Sequence, residues 1–126
     1  MSRLLSVLLF ATLTSAAACT STPSGATCPD NLADVPTYDN FGREFMENYC
    51  TSCHSAQSPD RHGAPGDQNY DTEADIKKHA AAIDGEAAAG PNATNTAMPE
   101  LAGTVHSAPT QAEREMLGRF LACEQK

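Results

Sequence analysis

The pentapeptide CTSCH restricts the fold of this chain more than any other part of its sequence, because it places three reactive side chains within one short turn. Cys50 and Cys53 lie three residues apart, and His54 follows directly. Thiols and an imidazole at this spacing serve three kinds of site: attachment of a covalent haem, half of a zinc site, or a thiol redox pair. Each kind needs different features elsewhere in the chain, and those features can be sought in the sequence.

The remaining sequence favours haem over the two other uses of the pentapeptide. A zinc site would need two further ligands at compatible spacing, but the sequence has no second Cys-x-x-Cys, and its other cysteines and histidines are scattered. A thioredoxin-like pair would open a helix that follows a strand, whereas here a helical pattern precedes the pair. Two thioether bonds to one edge of a porphyrin suit cysteines three residues apart on a helical turn, and the next residue can direct its imidazole at the iron. We therefore expect one covalent haem c, with Cys50, Cys53 and His54 among its binding residues.

Residues 1–18 are typical of a secretory signal peptide. Arg3 supplies a positive charge, the apolar run LLSVLLFATL follows, and small residues precede Cys19. The run is too short to span a membrane as a mature helix. The sequence AAAC that ends at Cys19 resembles the lipobox of bacterial lipoproteins, in which the cysteine is lipidated, although Ala16 stands where leucine is usual. We expect export to the periplasm, with a lipid on Cys19 as the only membrane contact.

Residues 19–27 are predicted to form a lipid-anchor cysteine and a flexible tether, because TSTPSGAT is rich in Ser, Thr, Pro and Gly. The monohaem domain is predicted to span residues 28–126. Once Cys19 and the two motif cysteines are assigned, Cys28 and Cys123 remain near the two ends of this domain. An exported protein permits a disulfide, so we expect these two cysteines to pair.

The chain without its signal peptide is acidic and has few aromatic side chains. Seven Lys and Arg face sixteen Asp and Glu, a formal charge of −9, and the whole sequence has four Phe, three Tyr and no Trp. This charge argues against binding to nucleic acid or to anionic lipid; it would suit a protein partner with a basic docking patch, or it serves solubility alone. A small domain with so few core side chains often depends on a disulfide or a cofactor.

Periodic apolar residues and capping residues predict three helices. The first begins near Phe41 and runs into the pentapeptide, with Asp39 or Asn40 as its cap. The second has its cap at Asp71 or Thr72, and its apolar stripe consists of Ile76, Ala80 and Ile83. The sequence shows no strand pattern of useful length.

The third helix starts at a capping box, in which Thr110 is followed three residues later by Glu113. Its apolar face consists of Met116, Leu117, Phe120 and Leu121. The segments between the helices are long and rich in Gly, Pro, Asp and Asn, which is typical of loops, and loops of this length need a group to pack on. The predicted fold is therefore all-α, a small helical domain whose long loops wrap around one covalent haem.

Together these residues resemble a small class I cytochrome c, a monohaem c-type cytochrome domain, over residues 38–125. In that family a helix carries Cys-x-x-Cys-His, a loop carries a methionine that is often followed by proline, and a C-terminal helix crosses the first. Here Met98 in NTAMPE stands at the loop position, and Gly42 stands where a glycine lets the two helices approach closely. Leu117 and Phe120 match the apolar and aromatic pair of the last helix. The chain departs from the family in lacking Trp and in having a methionine where an aromatic residue often precedes the first cysteine.

The resemblance implies that His54 and Met98 are the two axial ligands of the iron. In the family a loop proline accepts the second imidazole N–H through its carbonyl, and Pro65 stands at that place. Phe45 and Phe120 are expected against the haem, and further walls are expected from Tyr38, Phe41, Tyr70 and Leu101. The rival candidates for the sixth ligand are His62, His79 and His106.

A haem with both axial positions filled has no place for a substrate, so the resemblance implies a one-electron carrier rather than an enzyme. Two alternatives remain open at this stage. The chain could be a haem module or subunit of a larger redox complex, tethered to the membrane through its lipid. If the sixth ligand is labile, it could be a haem-based sensor or a peroxidase-like enzyme.

Overall fold

The computed structural model describes residues 22–100 and 107–126, so the predicted signal peptide and Cys19 lie outside the described residues. The described chain forms a short 3-10 helix (Leu32–Asp34), a π-helical turn (Tyr38–Gly42) and three α-helices, α1 (Arg43–Tyr49), α2 (Glu73–Ala87) and α3 (Gln111–Glu124). These residues form no strand, and an isolated antiparallel bridge joins Ala89 to Thr94. The predicted all-α class is confirmed for this part of the chain.

The first helical segment starts earlier than its sequence pattern predicted. Thr37 is its cap: the Thr37 Oγ1 accepts the N–H of Asn40 at 3.3 Å, and the Asn40 Oδ1 accepts the N–H of Thr37 at 2.7 Å. This capping box opens the π-helical turn that leads directly into α1. Asn40 is therefore the third residue of the segment, and neither it nor Asp39 is the cap.

Helices α2 and α3 begin at the caps that the sequence predicts. The Thr72 Oγ1 accepts the N–H of Asp75 at 3.2 Å. Thr110 and Glu113 form the expected capping box, with the Glu113 N–H bound to Thr110 Oγ1 at 3.2 Å and the Thr110 N–H bound to Glu113 Oε2 at 2.7 Å. Helix α2 continues through Gly85, and it packs against α3 through the buried residues Ile76, Ala80, Ile83, Leu117 and Leu121.

Gly42 allows the first helical segment to lie directly against α3. A methyl group on Gly42 would lie 2.5 Å from Phe120 Cζ, which is closer than two carbon atoms can approach without displacement. The ring of Phe120 also packs on Phe41, with centroids 6.2 Å apart, and Phe41 packs on Phe45 at 5.4 Å. The aromatic residues of this region therefore build the contact between the two helical segments.

Residues 22–27 pack against the domain, in contrast to the expected flexible tether. Ser24 is completely buried, and its N–H and its Oγ donate to the carboxylate of Asp84 at 2.7 and 2.5 Å. A disulfide joins Cys28 to Cys123, as predicted, and fixes the segment to the C-terminal turns of α3. We refer to residues 22–28 as the N-terminal strap. The sequence pattern missed this docking because a segment rich in Ser, Thr and Gly has the same composition whether it is free or docked.

No helix within residues 22–100 and 107–126 combines the length and the apolar character that a membrane crossing requires. The Cys28–Cys123 disulfide is consistent with export to an oxidising compartment.

Candidate functional site

A cavity of about 380 Å³ lies beside the pentapeptide. Cys50, Cys53 and His54 line it together with Met98. Helix α2 contributes apolar side chains to the wall, and the loop that follows the pentapeptide contributes polar ones. The volume falls within the range of sites that bind small molecules and cofactors. The fold therefore brings together the four residues to which the sequence assigned covalent attachment and iron ligation.

The pentapeptide lies in a turn after α1 and is not part of the helix itself. The Cys50 N–H still donates to the carbonyl of Met46 at 2.8 Å, but Cys50 has φ −122° and ψ −45°, outside helical values. The Cys50 carbonyl then accepts the N–H of Cys53 at 3.1 Å and that of His54 at 2.8 Å. These bonds hold the pentapeptide compact at the end of the helix, so that all three functional side chains reach the cavity. The prediction that the helix continues through the pentapeptide is therefore wrong, because α1 ends at Tyr49.

His54 is buried, and two neighbours fix the orientation of its ring. The His54 Nδ1–H donates to the backbone carbonyl of Gln68 at 3.1 Å, since a carbonyl can only accept. The ring of Tyr70 stacks on the imidazole, with centroids 4.5 Å apart and planes inclined by 14°. Burial lowers the pKa of His54; the Gln68 hydrogen bond opposes this shift, and the positive charge of Arg61 adds to it. The imidazole is therefore neutral at pH 7, and its Nε2 keeps a lone pair that can bind a metal.

The carbonyl that binds His54 belongs to Gln68, whereas the sequence resemblance pointed to Pro65. Pro65 lines the cavity, but its carbonyl accepts a hydrogen bond from Arg61 Nη2 at 2.6 Å. The Arg61 guanidinium also donates to the carbonyls of Gln68 at 3.0 Å and Ser55 at 2.5 Å. Arg61 thereby fixes the loop that carries the acceptor for His54. Sequence reasoning missed both residues, because any residue type can supply a carbonyl and because a lone arginine in a loop is usually a solvated charge.

Both motif cysteines are free thiols beside the cavity. Burial raises the pKa of Cys50 to about 12, and the positive charge of Arg114 opposes this shift without cancelling it. A reactive redox cysteine instead has a lowered pKa and often lies at a helix N-terminus, whereas Cys50 follows the C-terminal end of α1. This environment is unlike that of a thiol redox pair, and it keeps Cys50 as a neutral thiol that is available to form a thioether.

A zinc site on the pentapeptide finds no set of ligands in the described residues. Within 22–100 and 107–126, no three side chains of His, Cys, Asp or Glu lie close enough together to hold a metal ion. A covalent haem requires fewer ligands from the protein than a zinc ion does, because the porphyrin itself supplies four ligands to the iron. The protein then has to supply one imidazole and one further donor, which His54 and Met98 can provide.

Met98 reaches the cavity from the loop between α2 and α3. The Met98 N–H donates to the carbonyl of Glu86 at 2.8 Å, and the Met98 carbonyl accepts from Arg114 Nη1 at 2.8 Å. The Met98 side chain is 38% exposed. Its backbone is therefore held on both sides, while its side chain stays partly exposed. Arg114 was not predicted, although its position three residues before Leu117 on the buried face of α3 is an unusual place for a charge.

Two of the three rival histidines lie in the described chain. His62 lines the cavity, in a left-handed backbone conformation with φ 48°. His79 does not line it and packs on Tyr70, with ring centroids 5.9 Å apart. His106 lies outside the described residues, as does Leu101.

The aromatic residues that the sequence assigned to the cavity wall divide into two groups. Tyr70 lines the cavity, and burial raises the pKa of its hydroxyl to about 12, so it stays protonated. Phe45 and Phe120 are 3% and 0% exposed and do not line the cavity. Both rings belong to the hydrophobic core, where Phe120 packs on Gly42 and Phe45 packs on Phe41, and their contact with the cofactor stays a prediction. Tyr38 and Phe41 likewise lie outside the cavity wall.

No protein-family model matches this chain, and searches of curated proteins and of solved structures also find no match. A functional assignment therefore depends on the sequence motif and on the geometry of the cavity.

Proposed function

We propose that this chain is an exported one-electron carrier that holds one haem c covalently in the cavity beside the pentapeptide. The observation that carries the proposal is the geometry of His54, whose Nδ1–H donates to the Gln68 carbonyl, so that Nε2 is the ring nitrogen left to bind a metal. Histidines that bind metals usually donate their other N–H in this way. His54 also shares its cavity with two free thiols at attachment spacing and with a methionine thioether.

The roles of the residues follow from their chemistry. Cys50 and Cys53 would hold the haem through two thioether bonds. His54 would bind the iron through Nε2, and Met98 would bind it through its sulfur. When bound, the haem supplies a one-electron iron couple, and methionine ligation raises its potential. Hydrogen bonds hold both ligand residues to the protein, so a change of charge at the iron would move them little.

The charge around the cavity suggests the chemistry of the redox partner. Glu86 and Glu100 line the cavity close to Met98, and the chain without its signal peptide is strongly acidic. We expect a partner with a basic docking patch, bound weakly and with an affinity that falls as the salt concentration rises. An affinity that is independent of salt would contradict this expectation. The same acidity disfavours nucleic acid and anionic lipid as partners.

The location of the carrier is part of the proposal. The disulfide suits the periplasm, and the pattern around Cys19 suits a lipid that would hold the protein at a membrane. In that setting the chain could act as a free carrier or as a haem module of a larger redox complex. Copurification with membrane oxidoreductases would favour the module, because a tether raises the local concentration at a membrane partner.

The visible spectrum of the reduced, haem-loaded protein before and after addition of carbon monoxide tests the proposal. We expect narrow low-spin bands that carbon monoxide leaves unchanged. Met98→Ala should open the sixth position, so that carbon monoxide shifts the bands. Met116→Ala is a matched control, because Met116 is also 38% exposed but lies on α3 and does not line the cavity. Its spectrum should equal that of the unmodified protein.

Two results would count against the proposal, and each concerns a different part of it. If no haem mass stays on the denatured protein, covalent attachment at Cys50 and Cys53 is wrong. If carbon monoxide shifts the bands of the unmodified protein, Met98 is not a firm ligand, and a sensor or a peroxidase-like enzyme becomes the better reading. The exposure of Met98 and the presence of His62 on the same cavity are the observations that favour this second candidate.

A further inference from the structure

The N-terminal strap and the loop of Met98 belong to one hydrogen-bond network that is centred on Asn95. The Asn95 Nδ2 donates to the carbonyl of Thr22 at 2.8 Å and to that of Asp84 at 2.9 Å. The Asn95 carbonyl accepts from Arg114 Nη1 at 2.9 Å. The same nitrogen of Arg114 donates to the carbonyl of Met98 at 2.8 Å. Two side chains thus connect the strap to the backbone of Met98.

The surface under the strap is shaped to receive it. A methyl group on Gly90 would lie 2.7 Å from the carbonyl oxygen of Ser24, and one on Gly118 would lie 2.6 Å from the carbonyl oxygen of Ala89 and 2.8 Å from Ala26 Cβ in the strap. The Ser24 carbonyl also accepts the N–H of Asn92 at 2.8 Å. Two glycines from different parts of the chain therefore leave room for the strap, and the strap packs into the fold as one of its elements.

The strap is held at several points along its length. The disulfide between Cys28 and Cys123 fixes one end, the carboxylate of Asp84 binds the middle at Ser24, and the Asn95 amide binds the other end. Apart from its bond to the strap, the Asn95 side chain is bound to the carbonyl of Asp84 in α2, and the Asn95 N–H donates to the carbonyl of Ala88, just after α2, at 2.9 Å. The strap therefore supplies part of what holds the Asn95 side chain in place.

We infer that the N-terminal strap is a positioning element for Met98. It holds Asn95, Asn95 and Arg114 hold the backbone of the loop, and the loop presents the thioether to the cavity. The inference rests on the proposed haem site, because there Met98 is the ligand that has to be presented. Undocking the strap releases the loop of Met98 while the packing of α2 on α3 stays intact.

Amide hydrogen exchange in the haem-loaded protein tests the inference through two independent variants. Gly90→Ala places a methyl group against the Ser24 carbonyl and undocks the strap, whereas Asn95→Ala removes the donor to the carbonyls of both Thr22 and Asp84. In both variants the exchange of the Met98 N–H should become about tenfold faster, the effect expected from losing one ordinary hydrogen bond. The amides in the centre of α2, such as that of Ala80, should exchange at the unmodified rate.

Matched controls separate this effect from any general effect of the substitutions. Gly66→Ala adds a methyl group where no atom lies within 4 Å. Asn31→Ala removes an amide that binds only within its own turn, to Asp34 at 2.9 Å and to the Ala33 N–H at 3.1 Å. Neither control should change the exchange of the Met98 N–H.

A second measurement reports on the iron rather than on the backbone. The rate at which cyanide binds to the ferric protein should rise about tenfold in Gly90→Ala and Asn95→Ala, because a loosened Met98 leaves the iron more often. An unchanged exchange rate of the Met98 N–H in both variants would overturn the inference. Equal acceleration of amide exchange at Met98 and at Ala80 would also overturn it, because the strap would then stabilise the whole fold and not the loop of Met98 in particular. A spectrum without methionine ligation would instead contradict the proposed function, while the exchange data would still decide whether the strap holds the loop.

Discussion

Replacing Cys28 and Cys123 together by alanine should lower the free energy of unfolding by about 4.7 kcal/mol. The disulfide joins residues that are 95 positions apart. For a loop of this length, the chain-entropy relation gives a loss of about 16 cal/mol/K in the unfolded state, which is about 4.7 kcal/mol at 25 °C. Small domains have a total stability of about 5–15 kcal/mol, so this bond would supply a large share of it.

Urea denaturation followed by helical circular dichroism measures this loss. Ascorbate in all samples keeps any haem iron in one oxidation state without breaking the disulfide. The unmodified protein treated with a phosphine is the control, because it keeps both sulfur atoms and lacks only the bond. It should unfold within about 1 kcal/mol of the double alanine variant, since the entropy of the unfolded chain does not depend on the thiols.

A loss below about 1 kcal/mol, with an unchanged dependence on urea concentration, would refute this reasoning. It would mean that the unfolded chain already keeps its two ends close together. A large loss in the alanine variant but not in the reduced protein would point to packing at Cys28 and Cys123 instead of loop closure. The two samples therefore distinguish an effect on the unfolded state from an effect on the folded one.

Two further predictions concern stability. Gly42→Ala should lower the free energy of unfolding by about 1–3 kcal/mol, because its methyl group would lie 2.5 Å from the ring of Phe120. Gly66→Ala has open space around its methyl group, so it should change the free energy of unfolding by no more than about 0.5 kcal/mol in the same urea titration. Hydrogen bonds from Thr110 hold the pKa of Glu113 below its ordinary value of 4.5. The ionised carboxylate therefore stabilises the fold fully above pH 4.5, and this stabilisation is lost as the pH falls through the folded-state pKa. Glu113→Gln should therefore lower the stability at pH 7, and its difference from the unmodified protein should shrink in acid.

Features that depend on a few neighbouring residues could be predicted from the sequence. The cap at Thr72 and the capping box of Thr110 with Glu113 were found because a helix start depends on residues within one turn. The pairing of Cys28 with Cys123 followed from counting the cysteines that the motif and the signal left over. Gly42 was singled out through the family resemblance, and its contact with α3 explains why a side chain would not fit there.

Features that depend on contacts between distant residues could not be predicted. Ser24 and Asp84 are 60 positions apart, and nothing in the two residue types indicates that they form a hydrogen bond with each other. The acceptor for His54 is a backbone carbonyl, which is independent of the side chain at that position. The aromatic spacing of Phe45 and Phe120 fits a cavity wall and a helix contact equally well, so the sequence could not show that both rings lie in the hydrophobic core.

Two long loops wall the cavity, and one guanidinium orders each of them. Arg61 donates to the carbonyls of Ser55, Pro65 and Gln68, and the two hydrogens of Arg114 Nη1 are shared among those of Ala87, Asn95 and Met98. A guanidinium can donate hydrogen bonds to several carbonyls at once. Each arginine can therefore hold a loop in place although the sequence offers few apolar side chains to pack against it. His54 is held through Arg61 and Gln68, and Met98 is held through Arg114. Neither arrangement needs a haem as its partner, so the His54 ring and the backbone of Met98 would be in place before the haem arrives. Ligands fixed by the protein in this way would move little when the iron gains or loses an electron, which is what a carrier of single electrons requires.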